Sequence, residues 1–235
     1  VVTTNYWPEP TGISVYTTDL AEALSGTGHS VLVLTSLPHY PWWKVPDNYT
    51  HLKEGISQRN GVNLLRANHL IPSRMDAIKR VRFEFSLWKN LYRVSKPLVN
   101  REFDLVISYI PTLAAGIVGS RLAEKFKVPF GVIVQDLSGA GAMQSGIRGG
   151  ALMSKVAHSV ERTVLSRATG IVVVSTVMGD SVNALSISTK MITHIPNYSV
   201  RKIKLLDKKS SRRSYGWEQN DFVVVHTRTL RAKQG

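Results

Sequence analysis

The residues best suited to chemistry form a short turn near the start of the chain, Asn5-Tyr6-Trp7-Pro8-Glu9-Pro10-Thr11-Gly12-Ile13. Gly12 stands just before a helical pattern, where the lack of a side chain lets a ligand come close to the backbone. The free N–H groups and the positive dipole end of a helix start attract an anion such as a phosphate. Gly12 could equally serve only to close a tight turn between a strand and a helix, so both interpretations stay open. The turn lacks the Walker A and G-x-G-x-x-G patterns, which argues against an ATPase and against a dinucleotide-binding enzyme.

Further polar residues stand at the ends of later apolar runs, namely Gln135, Asp136, Ser175 and Asn197. Asp136 could orient an acceptor hydroxyl or act as a base. Its alternative role is an N-cap or an Asx turn. The chain has no cysteine, and its histidines are scattered without the spacing of a metal site. We therefore expect no bound metal and no cofactor.

Short β-branched runs alternate with helical patterns along most of the chain, which predicts an α/β fold with a doubly wound parallel sheet. The predicted strands are residues 1–4, 31–34, 62–66, 104–109, 130–134, 171–174 and 191–195, and the predicted helices are residues 14–25, 75–99, 112–126, 150–168 and 177–185. In an open parallel sheet, ligands bind beyond the carboxyl ends of the strands. The polar residues that follow the strands are therefore expected to share one edge of the sheet.

The formal net charge of +14 is concentrated in two segments, residues 74–101 and 198–235. The first holds eight basic residues against two acidic ones, and the second holds ten against three. Such segments suit nucleic acid, anionic lipid or phosphorylated substrates. The sequence has no RNP-type strand, zinc finger or KH-type loop, so we expect no nucleic-acid partner.

The predicted helix 75–99 has apolar residues at steps of three and four, among basic residues elsewhere on its surface. A helix lying on a membrane surface would show this pattern, and so would a helix with one solvated face. The cations expected to face the membrane in the first case are Lys79, Arg80, Arg82 and Lys89. No apolar run reaches the roughly 18 residues that cross a bilayer, and none resembles a secretory signal. We expect a cytoplasmic protein with peripheral contact at the inner face of the plasma membrane.

The composition changes after Asn197, which predicts a domain boundary. We assign residues 1–198 to an N-terminal domain and residues 199–220 to a basic linker or short connecting helix. An apolar run at 222–226 predicts the first strand of a second domain, of which residues 221–235 would be only the beginning.

Five motifs occur in one order along the chain: the turn 5–13, Pro38-His39-Tyr40-Pro41, Val134-Gln135-Asp136-Leu137, Ile195-Pro196-Asn197 and Ala232-Lys233-Gln234-Gly235. This set resembles the family 4 glycosyltransferases, in particular the bacterial colanic-acid and O-antigen type fucosyl- or fucosaminetransferases. The resemblance spans essentially the whole chain.

The resemblance implies a GT-B fold, in which two Rossmann-like domains enclose the reaction between them. It implies a retaining enzyme that needs no bound metal and uses a nucleotide sugar as donor co-substrate. The N-terminal domain would hold a lipid-linked or oligosaccharide acceptor in cell-envelope polysaccharide synthesis, and the second domain would bind the donor. Asp136 is then the candidate for catalysis, and the candidates for substrate binding are Asn5, Tyr6, Pro8, Glu9, Thr11, Gly12, Gln135, Ser175 and Asn197.

The sequence departs from the family pattern in three loops. Ser14 stands where the family has glycine, Ser138-Gly139-Ala140 replaces a Trp-Pro-acid sequence, and Arg228-Thr229-Leu230-Arg231 replaces Gly-Asn-Met-Gly. The E-x7-E region of the family would lie beyond Gly235. We therefore expect the 235-residue chain to be inactive alone, and the alternative function is a diverged, non-catalytic domain that binds lipid or a partner enzyme.

Overall fold

Strands and helices alternate in the predicted order in the computed structural model, which describes residues 1–73, 76–137, 150–185, 191–199 and 206–225. The strands are β1 Leu32–Ser36, β2 Gly55–Arg59, β3 Val62–Ala67, β4 Val106–Ile110, β5 Phe130–Val134, β6 Gly170–Val173 and β7 Met191–His194. The α-helices are α1 Ile13–Gly26, α2 Ala77–Ser95, α3 Leu113–Phe126, α4 Gly150–Arg167, α5 Thr176–Asn183 and α6 Lys208–Ser214, with short 3-10 helices at Asp47–Tyr49 and Lys96–Asn100.

The N-terminal segment, residues 1–4, lies at the centre of the sheet. Val2 bridges in parallel to Leu34 of β1 on one side and to Ser108 of β4 on the other. The Val2 N–H donates to the Ile107 carbonyl at 2.7 Å, and the Thr3 N–H donates to the Leu34 carbonyl at 3.0 Å. The segment thus joins the β1-β3-β2 group to the β4-β5-β6-β7 group, although ladder pairing is limited to Val2.

The resulting strand order is β2-β3-β1, the N-terminal segment, then β4-β5-β6-β7, and every pairing is parallel except that of β2 with β3. The chain builds outward in one direction from the N-terminal segment through β1 and β3, and then in the other from β4 through β7. This reversal is the topological switch point, where a crevice opens beyond the strand ends. The predicted doubly wound sheet is therefore confirmed, and the switch point lies where the turn 5–13 leaves the sheet.

The edge strand β2 was not predicted from the sequence. Residues Ser57 and Gln58 are polar and Ile56 is 71% exposed, so β2 carries no buried apolar face that could have indicated a strand. A hairpin turn at Asn60-Gly61 could nevertheless have been predicted, because Asn-Gly strongly favours a two-residue hairpin turn. Both residues have positive φ, 46° for Asn60 and 78° for Gly61.

The helix bounds differ from the predicted ones for local reasons. The predicted helix 75–99 begins after Asp76, whose carboxylate caps α2 by accepting the Lys79 N–H at 2.8 Å. It ends as an α-helix at Ser95 and continues as a 3-10 turn, because Pro97 has no N–H to donate. Arg74 and Met75 lie outside the described residues.

The core lies on both faces of the sheet. The larger cluster joins β4, β5 and β6 to α2, α3 and α4 through Leu87, Leu91, Val118, Val132 and Leu165. A smaller cluster lies beneath α1 and includes Tyr6, Ala21, Val33 and Leu64. Within the described ranges, no helix is both long enough and apolar enough to cross a membrane.

The chain divides into two compact units, Val1–Tyr198 and Ser199–Gly235. In the described part of the second unit, α6 is capped by Asp207, which accepts the Ser210 N–H at 2.8 Å. Residues 222 to 225 belong to no strand and Phe222 is 95% exposed, so the described part of the predicted strand 222–226 does not form here. A strand needs a paired neighbour, and the described residues of this unit contain no other strand. The assignment of the units as domain, linker and partial domain stays a prediction.

We expect Gly61→Ala to lower the free energy of unfolding by about 1–3 kcal/mol, because the turn requires positive φ and the added Cβ would lie 2.4 Å from Ser25 Oγ. Gly26→Ala is the matched control, since nothing lies within 4 Å of a Cβ at that position. Urea unfolding of the unsubstituted chain and of both variants measures the free energies of unfolding. If Gly61→Ala is as stable as Gly26→Ala, the turn tolerates another backbone conformation.

Candidate functional site

The turn 5–13, which we call the first loop, leaves the sheet at the switch point and leads into α1. Gly12 precedes the helix with φ 69° and ψ −148°, a combination that is essentially restricted to glycine. The Thr17 hydroxyl donates to the Asn5 carbonyl at 2.9 Å. The Ser14 hydroxyl lies 2.7 Å from the carbonyl oxygens of Glu9 and Thr11 and can donate to either. Ser14 therefore stabilises this loop.

Glu9 folds inward from the first loop and is 4% exposed. Its Oε1 accepts the backbone N–H groups of His39 and Tyr40 at 2.8 and 2.9 Å. Its Oε2 accepts the Asn5 amide at 2.7 Å. One carboxylate thus joins the first loop to residues 37–43, which we call the second loop.

The environment of Glu9 changes its acidity. Burial raises the pKa of this carboxyl from 4.5 to about 7, against the opposing effect of the three donors and the Arg66 charge. Glu9 was predicted to bind substrate. The structure places it inside the protein as the link between two loops, and direct substrate contact for it stays a prediction.

Arg66, at the end of β3, is a site residue that the sequence analysis missed. Its guanidinium is 1% exposed and donates to the carbonyls of Ser36 at 3.1 Å and Trp7 at 2.7 Å. Burial lowers the pKa of Arg66 to about 10, so it stays protonated at neutral pH. The available signal was a cation near the end of a strand, Val62 to Ala67, in which four of the six residues are apolar.

The second loop packs on the core through its aromatic residues. His39 is 2% exposed, and its Nδ1 lies 3.2 Å from the Leu37 carbonyl and 3.4 Å from Glu9 Oε1. Burial lowers the pKa of His39 to about 4, so the imidazole is neutral at pH 7. The rings of His39 and His69 lie 4.5 Å apart and both contact Phe83. Among the described residues, no group of three or more histidines and acids could hold a metal ion.

Tyr40 is the second-loop residue nearest the predicted ligand position. A Cβ built on Gly12 would lie 3.3 Å from Tyr40 Cε1, so the ring covers one side of the start of α1. Tyr40 is half-buried, whereas Thr11 and Gly12 beside it are exposed. The exposed backbone at Gly12 is therefore open to solvent on one side and bounded by this ring on the other.

The predicted site residues that follow β5, β6 and β7 differ in the contacts they make. Gln135 and Asn197 form a reciprocal amide pair of 3.0 and 2.9 Å across β5 and the segment after β7. Asp136 is exposed, and its Oδ1 accepts the N–H of the next residue, Leu137, at 2.8 Å, whereas an Asx turn would use the N–H two residues on. The Ser175 hydroxyl caps α5 by accepting the Met178 N–H at 3.2 Å. Of these four, only Gln135 and Asn197 are brought into contact with each other, and Ser138-Gly139-Ala140 lies outside the described residues.

Tyr198, the last residue of the first unit, contacts α1. The sequence analysis did not predict this contact. The Tyr198 hydroxyl donates to Asp19 Oδ2, and its ring meets Tyr16 at 6.0 Å between centroids. Tyr109, buried at the end of β4, has its pKa raised by burial and by the nearby Tyr198 and Asp19. Asn197 is thereby fixed next to α1, the helix that carries Gly12.

The sheet order, the switch point and the loops at its edge define a Rossmann-like α/β domain. The family model described as "Glycosyl transferase 4-like domain" matches residues 11–198, and the chain belongs to this family. A curated relative, the putative colanic acid biosynthesis glycosyl transferase WcaI of Escherichia coli (strain K12), is 25% identical over 98% of the chain and 58% of its own length. The chain thus spans about three fifths of that relative.

Solved structures agree at the level of fold. The sucrose-phosphate synthase of Thermosynechococcus elongatus has a TM-score of 0.58 at 15% identity, over 83% of this chain and 44% of the synthase chain. A second structure of that synthase has a TM-score of 0.55 at 13% identity, over 84% of this chain and 89% of its own. The predicted family and the predicted fold class, the N-terminal half of a GT-B fold, are confirmed.

We expect Glu9→Ala to lower the free energy of unfolding by about 2–4 kcal/mol, because two buried N–H groups lose their acceptor. Glu9→Gln should cost only about 1 kcal/mol or less, because the Asn5 amide can turn its oxygen toward the new Nε2. Urea unfolding at pH 7 measures both. Equal losses in the two variants would contradict this account of the hydrogen bonds.

The difference in unfolding free energy between the unsubstituted chain and Glu9→Gln should change with pH. Because the folded pKa of Glu9 is raised, its contribution to stability is full below 4.5 and is lost as pH rises through about 7. The stability of the unsubstituted chain relative to Glu9→Gln should fall by about 3 kcal/mol between pH 4.5 and 8. The lowered pKa values of His39 and His69 act in the opposite direction in both proteins, and the comparison cancels them. A pH-independent difference between the two would contradict the raised pKa.

Proposed function

We propose that this chain forms the acceptor-side domain of a retaining glycosyltransferase, which moves a sugar from a nucleotide sugar to a lipid-linked glycan in cell-envelope polysaccharide synthesis. The observation that carries the proposal is the family match over residues 11–198, which includes α1 and the Gln135 and Asn197 side of the edge. The name of the Escherichia coli relative, a putative colanic acid biosynthesis glycosyl transferase, supports the polysaccharide context.

The exposed groups at the edge suit a sugar and a diphosphate. Thr11 and the Gly12 backbone stand at the positive end of α1, where free N–H groups favour developing negative charge on a leaving group. The amide groups of Gln135 and Asn197 each offer a donor and an acceptor, as sugar hydroxyls require. Asp136 is exposed next to Gln135 and is the proposed acceptor-orienting carboxylate. The proposal includes no metal, and the nucleotide sugar is a co-substrate.

The test is transfer of labelled sugar from a panel of nucleotide sugars to a bacterial lipid extract, by the whole protein that contains this chain. Gln135→Ala and Asn197→Ala should each lower kcat/KM about tenfold or more, because each removes one partner of the amide pair. Gln58→Ala is the matched control, since that amide lies exposed on β2. Wild-type transfer in both edge variants, or no transfer from any donor by the unsubstituted protein, would contradict the proposal.

The outward face of α2 supports peripheral membrane contact, which suits a lipid-linked acceptor. Phe83, Leu87 and Leu91 on the inner face are buried. The outer face exposes Ile78 at 73%, Phe85 at 58% and Val81 at 54%. Exposed apolar groups among cations are typical of helices that lie on anionic membranes.

The four cations proposed to face the membrane are not equivalent. Lys79 pairs with Asp76 at 3.2 Å, and Arg80 pairs with Glu84 at 2.7 Å. Arg82 and Lys89 are exposed, and neither has an ion pair within the described ranges. Arg82 and Lys89 are therefore the better candidates to meet lipid head groups.

Co-sedimentation with vesicles of phosphatidylglycerol and phosphatidylcholine tests this surface. Replacing Arg82 and Lys89 with Gln should weaken binding about tenfold or more at low salt, since each cation near an anionic surface contributes about 1 kcal/mol. The matched control, Lys79→Gln with Arg80→Gln, should weaken it less. Val81→Ser with Phe85→Ser should abolish it.

Unchanged binding in the Val81 and Phe85 variant would show that α2 is only solvated. Membrane binding without sugar transfer would favour the alternative function, a non-catalytic domain that binds lipid or a partner enzyme. The exposed face of α2 is the observation that favours this second candidate.

A further inference from the structure

Among the described residues, Glu9 is the only acceptor for the backbone N–H groups of His39 and Tyr40 in the second loop. The backbone N–H groups of these two residues donate to Glu9 Oε1. In the other main-chain bonds of the loop, Leu37 donates to the Ala67 carbonyl at 3.1 Å and Trp43 donates to the His39 carbonyl at 2.6 Å. One carboxylate of the first loop thus accepts both main-chain N–H groups in the middle of the second loop, beside the packing of the buried His39 ring.

The hydrogen bonds between Glu9 and the second-loop backbone fix the position of Tyr40. Its ring stands against Gly12, and its hydroxyl has no hydrogen-bond partner within the described residues. A half-buried aromatic ring beside exposed backbone offers one face for packing and one polar group for a hydroxyl. This combination suits a sugar ring, which has apolar C–H faces and hydroxyl edges.

We propose that Tyr40 is a sugar-contacting residue of this site and that Glu9 is its positioning residue, holding the ring over Gly12 through the His39 and Tyr40 backbone. The inference rests on the proposed transferase function. It differs from the sequence-based expectation, in which Glu9 itself met the substrate, because the carboxylate is already occupied by three donors.

The groups around Glu9 allow two substitutions to distinguish its role as a hydrogen-bond acceptor from its charge. Asn5 lies on its own loop, His39 on the second loop and Arg66 on β3, with His69 behind His39 and Tyr6 near Arg66. A glutamine at position 9 keeps an oxygen for both N–H groups once the Asn5 amide has turned. Glu9→Gln should therefore preserve the position of Tyr40 without the charge, whereas Glu9→Ala should release it.

Amide hydrogen exchange of the 235-residue chain tests the link directly. We expect the His39 and Tyr40 amides to exchange at least about tenfold faster in Glu9→Ala and within about threefold of wild type in Glu9→Gln. Glu22→Ala is the matched control, because Glu22 is a half-buried carboxylate on α1 that pairs with Arg59 of β2 and contacts neither His39 nor Tyr40 through a hydrogen bond. Exchange in Glu9→Ala that is no faster than in Glu22→Ala would overturn the positioning role.

Sugar transfer by the whole protein tests the function of the link. Glu9→Ala should lower kcat/KM about tenfold, Glu9→Gln should restore it to within about threefold, and Glu22→Ala should leave it unchanged. Tyr40→Ala should raise the KM for one substrate, and Tyr40→Phe should give a smaller rise. Wild-type kcat/KM in Tyr40→Ala would overturn the sugar contact.

The two proposals fail differently. If the unsubstituted protein transfers no sugar, the proposed function fails, and the exchange experiment still decides whether Glu9 positions Tyr40. If the unsubstituted protein transfers sugar and Glu9→Ala transfers it equally well, the proposed function stands and the positioning role is overturned.

Discussion

The parallel pairing of the N-terminal segment with β1 on one side and β4 on the other is the constraint on which the site depends. Because the strand order reverses at this segment, the crevice beyond it is not filled by a crossover connection. The first loop emerges into that crevice, and the end of β4 lies beside it. The location of the site thus follows from hydrogen bonding in the sheet, before any side chain is considered.

Buried charge gives the crevice its shape. Loops have no ladder partners, so their backbone groups need acceptors and donors from side chains when water is excluded. Glu9 supplies an acceptor to the second loop, and Arg66 supplies donors to the carbonyls of Trp7 and Ser36. A carboxylate and a guanidinium buried near each other compensate part of their desolvation. The polar and charged residues of the first loop therefore have a role in the loop architecture, whatever they do for a ligand.

The sequence was sufficient to predict the doubly wound fold, because buried parallel strands and amphipathic helices have strong periodic signals. It was not sufficient for β2, since an edge strand with Ile56 exposed has no such signal. At the site, the first loop and the Gln135–Asn197 edge were predicted as neighbours from strand ends alone. The roles of Glu9, Arg66 and Tyr198 could not be predicted, because each acts through a partner at least 30 residues away, and sequence spacing does not report such distances.

The contact between Tyr198 and Asp19 has a mechanical consequence. The final residue of the first unit contacts α1, and the same helix begins directly after Gly12, which lies next to the Tyr40 ring. The last residues of the first unit, Asn197 included, are thus held against the helix that follows Gly12 and not only by the end of β7.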